Sequence, residues 1–173
     1  LGSELAGLEA ECEAGLKFLK KSRQPATEAM LRHGVLLPVQ ALRAGTPDLS
    51  AATLSSGEAG FLEGGDQAPS IPLALYSSAM LRHAYLFGDR ERWQRFHRNL
   101  GMVAMCLPDS PSYVEASFYA ALGLLRPEFS SLEESRDEAR VHLARFETWA
   151  AGCPGSFRHR FLLLAAEEAR SRG

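Results

Sequence analysis

The side chains able to do chemistry in this sequence are five histidines, three cysteines and a few serine–glycine stretches. Their spacing decides what they can do. His33, His83, His97, His142 and His159 contain no pair four residues apart and no HExxH. The two-nitrogen grip of a helical zinc site is therefore not formed, and each reads as a surface or hydrogen-bonded core histidine. Cys12, Cys106 and Cys153 lie far apart without a CxxC pair, and read as small buried apolar residues in a reducing compartment. Cys153, beside Pro154 at a helix start, is the thiol whose pKa could be lowered. It lacks the His or Asn context of a nucleophile.

Ser55-Ser56-Gly57 and Gly64-Gly65-Asp66 invite comparison with a phosphate loop or a serine nucleophile. Neither follows a strand, and neither fits GxxxxGK[ST] or GxSxG; both read as loop composition. Arg90-Glu91-Arg92-Trp93-Gln94-Arg95-Phe96-His97-Arg98 mixes basic and aromatic residues as a nucleic-acid surface does. At helical spacing, however, Trp93 and Phe96 fall on a core stripe and the arginines on a solvated face. Glu133, Glu134, Asp137 and Glu138 sit in the first turns of a helix, where they complement its dipole. No catalytic, cofactor-binding or metal set assembles from these residues.

The elements that must hold these residues are helices. The chain has 173 residues, 46% apolar and 23% charged, enough to bury a real core and ordinary for a globular domain. Its net charge of −2 supplies no long-range pull toward nucleic acid or an anionic membrane. No run is long and apolar enough to insert into a membrane, and no targeting signal opens the chain, so a cytoplasmic location is expected.

Leu5, Leu8, Cys12, Leu16 and Leu19 step by three and four and predict a first helix over 3–21, capped by Ser3. A second follows Pro25 with Met30, Leu37 and Ala41, and Pro38 inside it should kink or shorten it. Glycine and proline density from Gly45 to Pro69 predicts a long loop, with one helical turn near Phe61 and Leu62. Further helices are expected over 71–87 and 90–107, the latter striped by Trp93, Phe96, Leu100, Val103 and Leu107. Gly88 suits a left-handed C-terminal position and Asp89 an N-cap, so two residues end one helix and start the next. Helices over 112–125 and 131–150 follow, and a last one is capped by Ser156. No segment alternates like a strand, so the fold class is all-α with about seven main helices.

Both Gly88 and Gly173 close an amphipathic helix, and they stand two hairpins of roughly 42 residues apart. The expected organisation is a first helix pair over 1–44, a loop over 45–70, a second pair over 71–108 and a third over 109–151. Residues 154–173 then form the first helix of a fourth pair whose partner is expected beyond Gly173, so the chain is expected to be a piece of a longer array.

The turn Tyr85-Leu86-Phe87-Gly88-Asp89 resembles that of a tetratricopeptide repeat, with Trp93 where such repeats carry a small alanine. More distinctive is the segment from Phe146 through Trp149, Cys153-Pro154, Phe157 and His159 to Glu167. It resembles W-A-x-x-C-P-x-N-F-x-H-K-x-L-L-x-x-A-E in the helical region of large bacterial multi-sensor signalling kinases, with Ser156 in the asparagine position. Gly15-Leu16-Lys17-Phe18-Leu19-Lys20 resembles that family's opening helix. Tyr85 to Asp89 is similar to its Y-L-F-G-D, and Phe118-Tyr119-Ala120-Ala121-Leu122 to its F-Y-x-x-L.

The resemblance implies a stack of antiparallel helix pairs in a right-handed superhelix. It would lie between a serine/threonine-kinase-like domain and AAA-type ATPase on one side and a GAF sensor or histidine kinase on the other. None of those domains' catalytic residues falls on this segment. The expected role is a non-catalytic protein–protein interaction or relay module, with protein partners, no nucleic acid and no membrane insertion. The alternatives are a free-standing tetratricopeptide-like adaptor and, more distantly, an enzyme that closes residues 45–69 as a lid over His33 or His83.

Overall fold

The computed structural model of the chain describes residues 4–44, 69–130 and 132–172. Every element among them is helical, as expected for an all-α chain. Of the loop expected over 45–70, residues 45–68 lie outside the described residues, and with them the turn expected near Phe61 and Leu62 and both serine–glycine stretches. So do Ser3, Ser131, Gly173 and the side chains of Glu133 and Glu134.

Helix α1 (Leu5–Lys21) buries Cys12, Leu16 and Leu19, which fall on one face at steps of four and three. It ends through Arg23, whose φ is 53°. The Arg23 N–H donates to the Lys20 carbonyl and the Gln24 N–H to that of Leu19, each at 3.2 Å. This is the left-handed helix stop that glycine makes most easily, because a Cβ crowds the carbonyl there. Arg23→Gly is accordingly expected to raise stability by about 1 kcal/mol. The check is the urea midpoint at unchanged m-value, and a lowered midpoint would refute the account.

Helix α2 (Pro25–Leu31) runs into a wide turn over Arg32–Leu36 and continues as α3 (Leu37–Ala44). The Leu37 N–H donates five residues back, to the Arg32 carbonyl. Pro38 has no N–H for the Gly34 carbonyl, and its ring crowds that turn. The wide turn accommodates both defects, so the helix neither stops nor shortens at Pro38.

Helix α4 (Ile71–Leu86) starts at Ser70, whose Oγ accepts from the Leu73 N–H, with Pro72 in its first turn. Nine of its residues are buried, because it is wrapped by α2, α3 and the wide turn on one side and later helices on the other. Its end matches the expected turn: Gly88 has φ 72°, the Gly88 N–H donates to the Tyr85 carbonyl and the Asp89 N–H to the Ala84 carbonyl. Asp89 Oδ1 then accepts from the Arg92 N–H at 3.0 Å and caps the next helix.

The single helix expected over 90–107 is two, α5 (Arg90–His97) and α6 (Leu100–Cys106). At the joint the Asn99 N–H bonds three residues back, to Phe96, and its side-chain amide donates to buried Ser77 Oγ at 3.1 Å. Asparagine competes with regular helix through such side-chain bonds. The apolar stripe survives the break: Trp93, Phe96 and Val103 are buried, and Leu100 and Leu107 pack against them.

Helix α7 (Pro111–Leu124) is capped by Ser110 Oγ at the Tyr113 N–H. Helices α8 (Leu132–Gly152) and α9 (Pro154–Ser171) form the last hairpin. Cys153, not Ser156, holds the N-cap position of α9, since Pro154 already occupies the first turn. Helix α4 packs on α5, α6 and α7; α7 packs on α8, and α8 on α9. One large core follows this succession from Leu37 through Trp93 and Phe118 to Leu164. A smaller one of Cys12, Leu16 and Leu36 lies under α1.

Candidate functional site

The groove between α5–α6 and α8 brings together Glu91, His97, Arg98, Glu138, His142 and Arg145. Trp93 anchors it. Its indole Nε1 donates to the Tyr119 carbonyl at 3.2 Å, and its ring stacks on His97 with centroids 4.7 Å apart. That stack holds His97 toward α8, where Nε2 stands 3.2 Å from Glu138 Oε1. The hydrogen bond from His97 holds the Glu138 carboxyl below its ordinary pKa despite partial burial. One turn along α8 lies His142, 4% exposed, with no partner at Nδ1.

Burial first, and the Arg145 guanidinium next, push the His142 imidazole down to about 4, partly offset by Glu138; His97 lowers it further. Arg145 itself lies over the Tyr113 ring at 5.5 Å. The His97–Glu138 pair separates two cavities, of about 590 Å³ and 530 Å³. The first is walled by Glu91, Gln94, Ser130 and Ser135. The second is walled by Gly101, Ala104, Val141, His142 and Arg145. Arg98 borders both.

The other residues singled out by type are scattered. His83 is fully enclosed, with neither ring nitrogen hydrogen-bonded. Burial, then Arg82, lowers it to about 4. This overturns the expectation of a satisfied core histidine for His83 and for Nδ1 of His142. His33 is buried in the wide turn, and His159 is exposed. Residues 45–68, the lid of the enzyme alternative, lie outside the described residues.

Of the cysteines only Cys12 is buried, its thiol raised by burial and then by Glu11. Cys106 is half-buried. Cys153 is exposed, which corrects its assignment to the interior, because the α8–α9 turn projects from the stack. No group of three or more His, Cys, Asp or Glu among the described residues could hold a metal. No helix among them is long and apolar enough to cross a membrane.

Sequence reasoning placed His97, Glu138 and His142 in separate contexts. The one available signal was the Glu138–His142 spacing of four, which puts both on one face of α8; the contribution of His97 depends on how two helices cross. Chemically, the groove offers a carboxylate beside an imidazole and two guanidinium groups, next to small apolar residues. That is an inventory for hydrogen bonding and charge pairing. In comparisons with protein-family models, curated proteins and solved structures, none matches this chain.

Proposed function

We propose that this chain is a non-catalytic interaction or relay module within a large cytoplasmic bacterial signalling kinase of the multi-sensor type, its helix pairs stacked in the manner of tetratricopeptide repeats. The observation that carries the reading is the order of packing: α4 lies against α5, α6 and α7, α7 against α8, and α8 against α9. A stack of this kind exposes long surfaces along its length and serves as a platform for other proteins. Its first-arm helices open at Ile71, Pro111 and Pro154, each with a proline in the first turn, so one unit recurs roughly every 40 residues.

Two of the segments that resemble the signalling kinases sit at joints, while Gly15–Lys20 lies within α1 and Phe118–Leu122 within α7. The Tyr85–Asp89 segment forms the turn between α4 and α5, and the Trp149–Glu167 segment spans the α8–α9 turn. The reading frame that contains these residues is expected to encode kinase-like and ATPase segments on one side and a sensor segment on the other. A frame lacking all of them overturns the assignment to that parent. The immobilised chain, shown folded by circular dichroism, is expected to retain one or more of those segments expressed separately. If it retains none, the interaction reading fails.

A further inference from the structure

The eleven residues from Lys17 to Thr27 close α1 and open α2, and all of them but Leu19 are exposed. They carry four cations, Lys17, Lys20, Lys21 and Arg23, and no acid. The net charge of −2 is therefore unevenly divided, with +4 on this stretch and −6 on the rest of the chain. The nearest exposed acids on α1, Glu11 and Glu13, lie one turn or more back along the helix. On α2, Glu28 faces Arg32 of the wide turn.

Phe18 stands among these cations and is 66% exposed. Cys12, Leu16 and Leu19 fill the inward face of α1, and helix periodicity puts Lys17, Phe18 and Lys21 together on the opposite one. Ser22 Oγ donates to the Phe18 carbonyl at 3.0 Å, which closes the last turn beneath them. The cavities beside α5, α6 and α8, beside α4 and α7, and at the end of α9 are lined by other residues. The patch is thus a protruding ring in a ring of positive charge, without a groove. A protein partner needs matching relief to bury an aromatic anchor. A fluid lipid surface does not, because headgroups rearrange around an aromatic side chain that enters their layer.

We propose that the α1–α2 turn adsorbs to an anionic phospholipid surface, with Phe18 in the headgroup layer and Lys17, Lys20, Lys21 and Arg23 against the lipid anions. Each cation near such a surface strengthens binding about five-fold. The long lysine stems let the ammonium groups spread around a ring that sits deeper. The attachment is peripheral and reversible: no helix among the described residues is long and apolar enough to cross a membrane, and one aromatic with four cations makes a weak anchor. The acidic remainder of the chain is repelled by the same surface, so this turn faces the lipid. The site adds to the interaction reading above and does not rest on it.

The test is co-sedimentation of the full chain with vesicles of phosphatidylcholine, alone or with about 30% phosphatidylserine. Binding to the anionic vesicles is expected to be at least about 100-fold stronger than to the neutral ones, and to be lost as salt rises from about 0.1 to about 0.5 M. Lys17→Glu combined with Lys21→Glu is expected to weaken it about 25-fold or more, and Phe18→Ala about five-fold. Circular dichroism and melting temperature should not change, because all three side chains are exposed. Arg158→Glu, exposed on α9, is expected to leave binding as it was. Equal binding to both vesicles overturns the proposal, as does undiminished binding by the double variant or no binding at about 1 mM lipid. If the chain ignores both vesicles but captures a peptide alternating leucine with glutamate, and loses it with Phe18→Ala, the partner is a protein and the lipid assignment falls. A chain that binds anionic vesicles yet retains no flanking segment keeps this inference and loses the interaction reading; the converse result loses this inference alone.

Discussion

Lowering the pH from 7 toward 4 is expected to remove most of this chain's stability, before carboxylate titration contributes much. His83 and His142 are enclosed, and each has a folded pKa of about 4 against about 6.5 in an unfolded chain. For a base whose folded pKa is depressed, the unfolded state binds the proton first. Stability is therefore full above about pH 6.5 and is lost progressively as pH falls to about 4, where the folded state protonates too. A depression of about 2.5 units corresponds to about 3 kcal/mol for each histidine.

Two such losses approach the whole net stability of a typical domain, about 5–15 kcal/mol. Glu138 acts lower. Its depressed carboxyl contributes stability that is present above the unfolded value and disappears only as pH falls through its folded one. The measurement is urea unfolding by tryptophan fluorescence at pH 7, 6, 5 and 4. His83→Leu is expected to leave stability at pH 7 unchanged or raised, since neither ring nitrogen is hydrogen-bonded, and to remove about half of the acid dependence. A flat stability between pH 7 and 4, or an NMR titration of His83 near pH 6.5, would contradict this.

The second large effect is expected at Gly123. Helix α7 passes so close to Trp93 that a Cβ at Gly123 would fall inside the indole, against Cε2, Cζ2 and Nε1. Trp93 is 2% exposed and is held by its bond to the Tyr119 carbonyl and its stack on His97. Neither ring nor helix can retreat without losing one of these. Gly123→Ala is expected to cost about 3 kcal/mol, the upper end of ordinary overpacking. Trp93→Ala removes a buried indole and is expected to cost about 3–5 kcal/mol.

Because the two residues fill one space, their effects should not add. Gly123→Ala introduced into Trp93→Leu is expected to cost well under its single-mutant penalty. Additive losses in a double-mutant cycle would show that the close approach is not what constrains Gly123. In this contact the large residue is Trp93 and the small one stands opposite it, on α7.

Much of the fold was legible by period. The steps Cys12, Leu16, Leu19 and Trp93, Phe96, Val103 point inward as their spacing predicts. The Gly88–Asp89 turn was readable because its chemistry is local: one residue without a Cβ and one short acid satisfy the orphan groups of two helix ends. Pro38 and Asn99 were harder. Asn99 alters backbone bonding with help from Ser77 Oγ on α4. At Pro38 the helix widens and runs on, where a kink or a shortening was expected.

The groove was the least legible feature. His97 and Glu138 are 41 residues apart in the chain, and Arg98 and Arg145 are 47 apart; a crossing of α5–α6 over α8 brings each pair to one cavity. Residue types and local spacing by themselves determined that the chain is helical, where most helices start and stop, and which faces are apolar, because helix periodicity and capping act within a few residues. Tertiary structure alone decided that His83 and His142 lose their water, that Trp93 takes the space in front of Gly123, and that Arg98 and Arg145 share one cavity. Burial and charge proximity belong to the packing of distant segments, and no short-range rule encodes them.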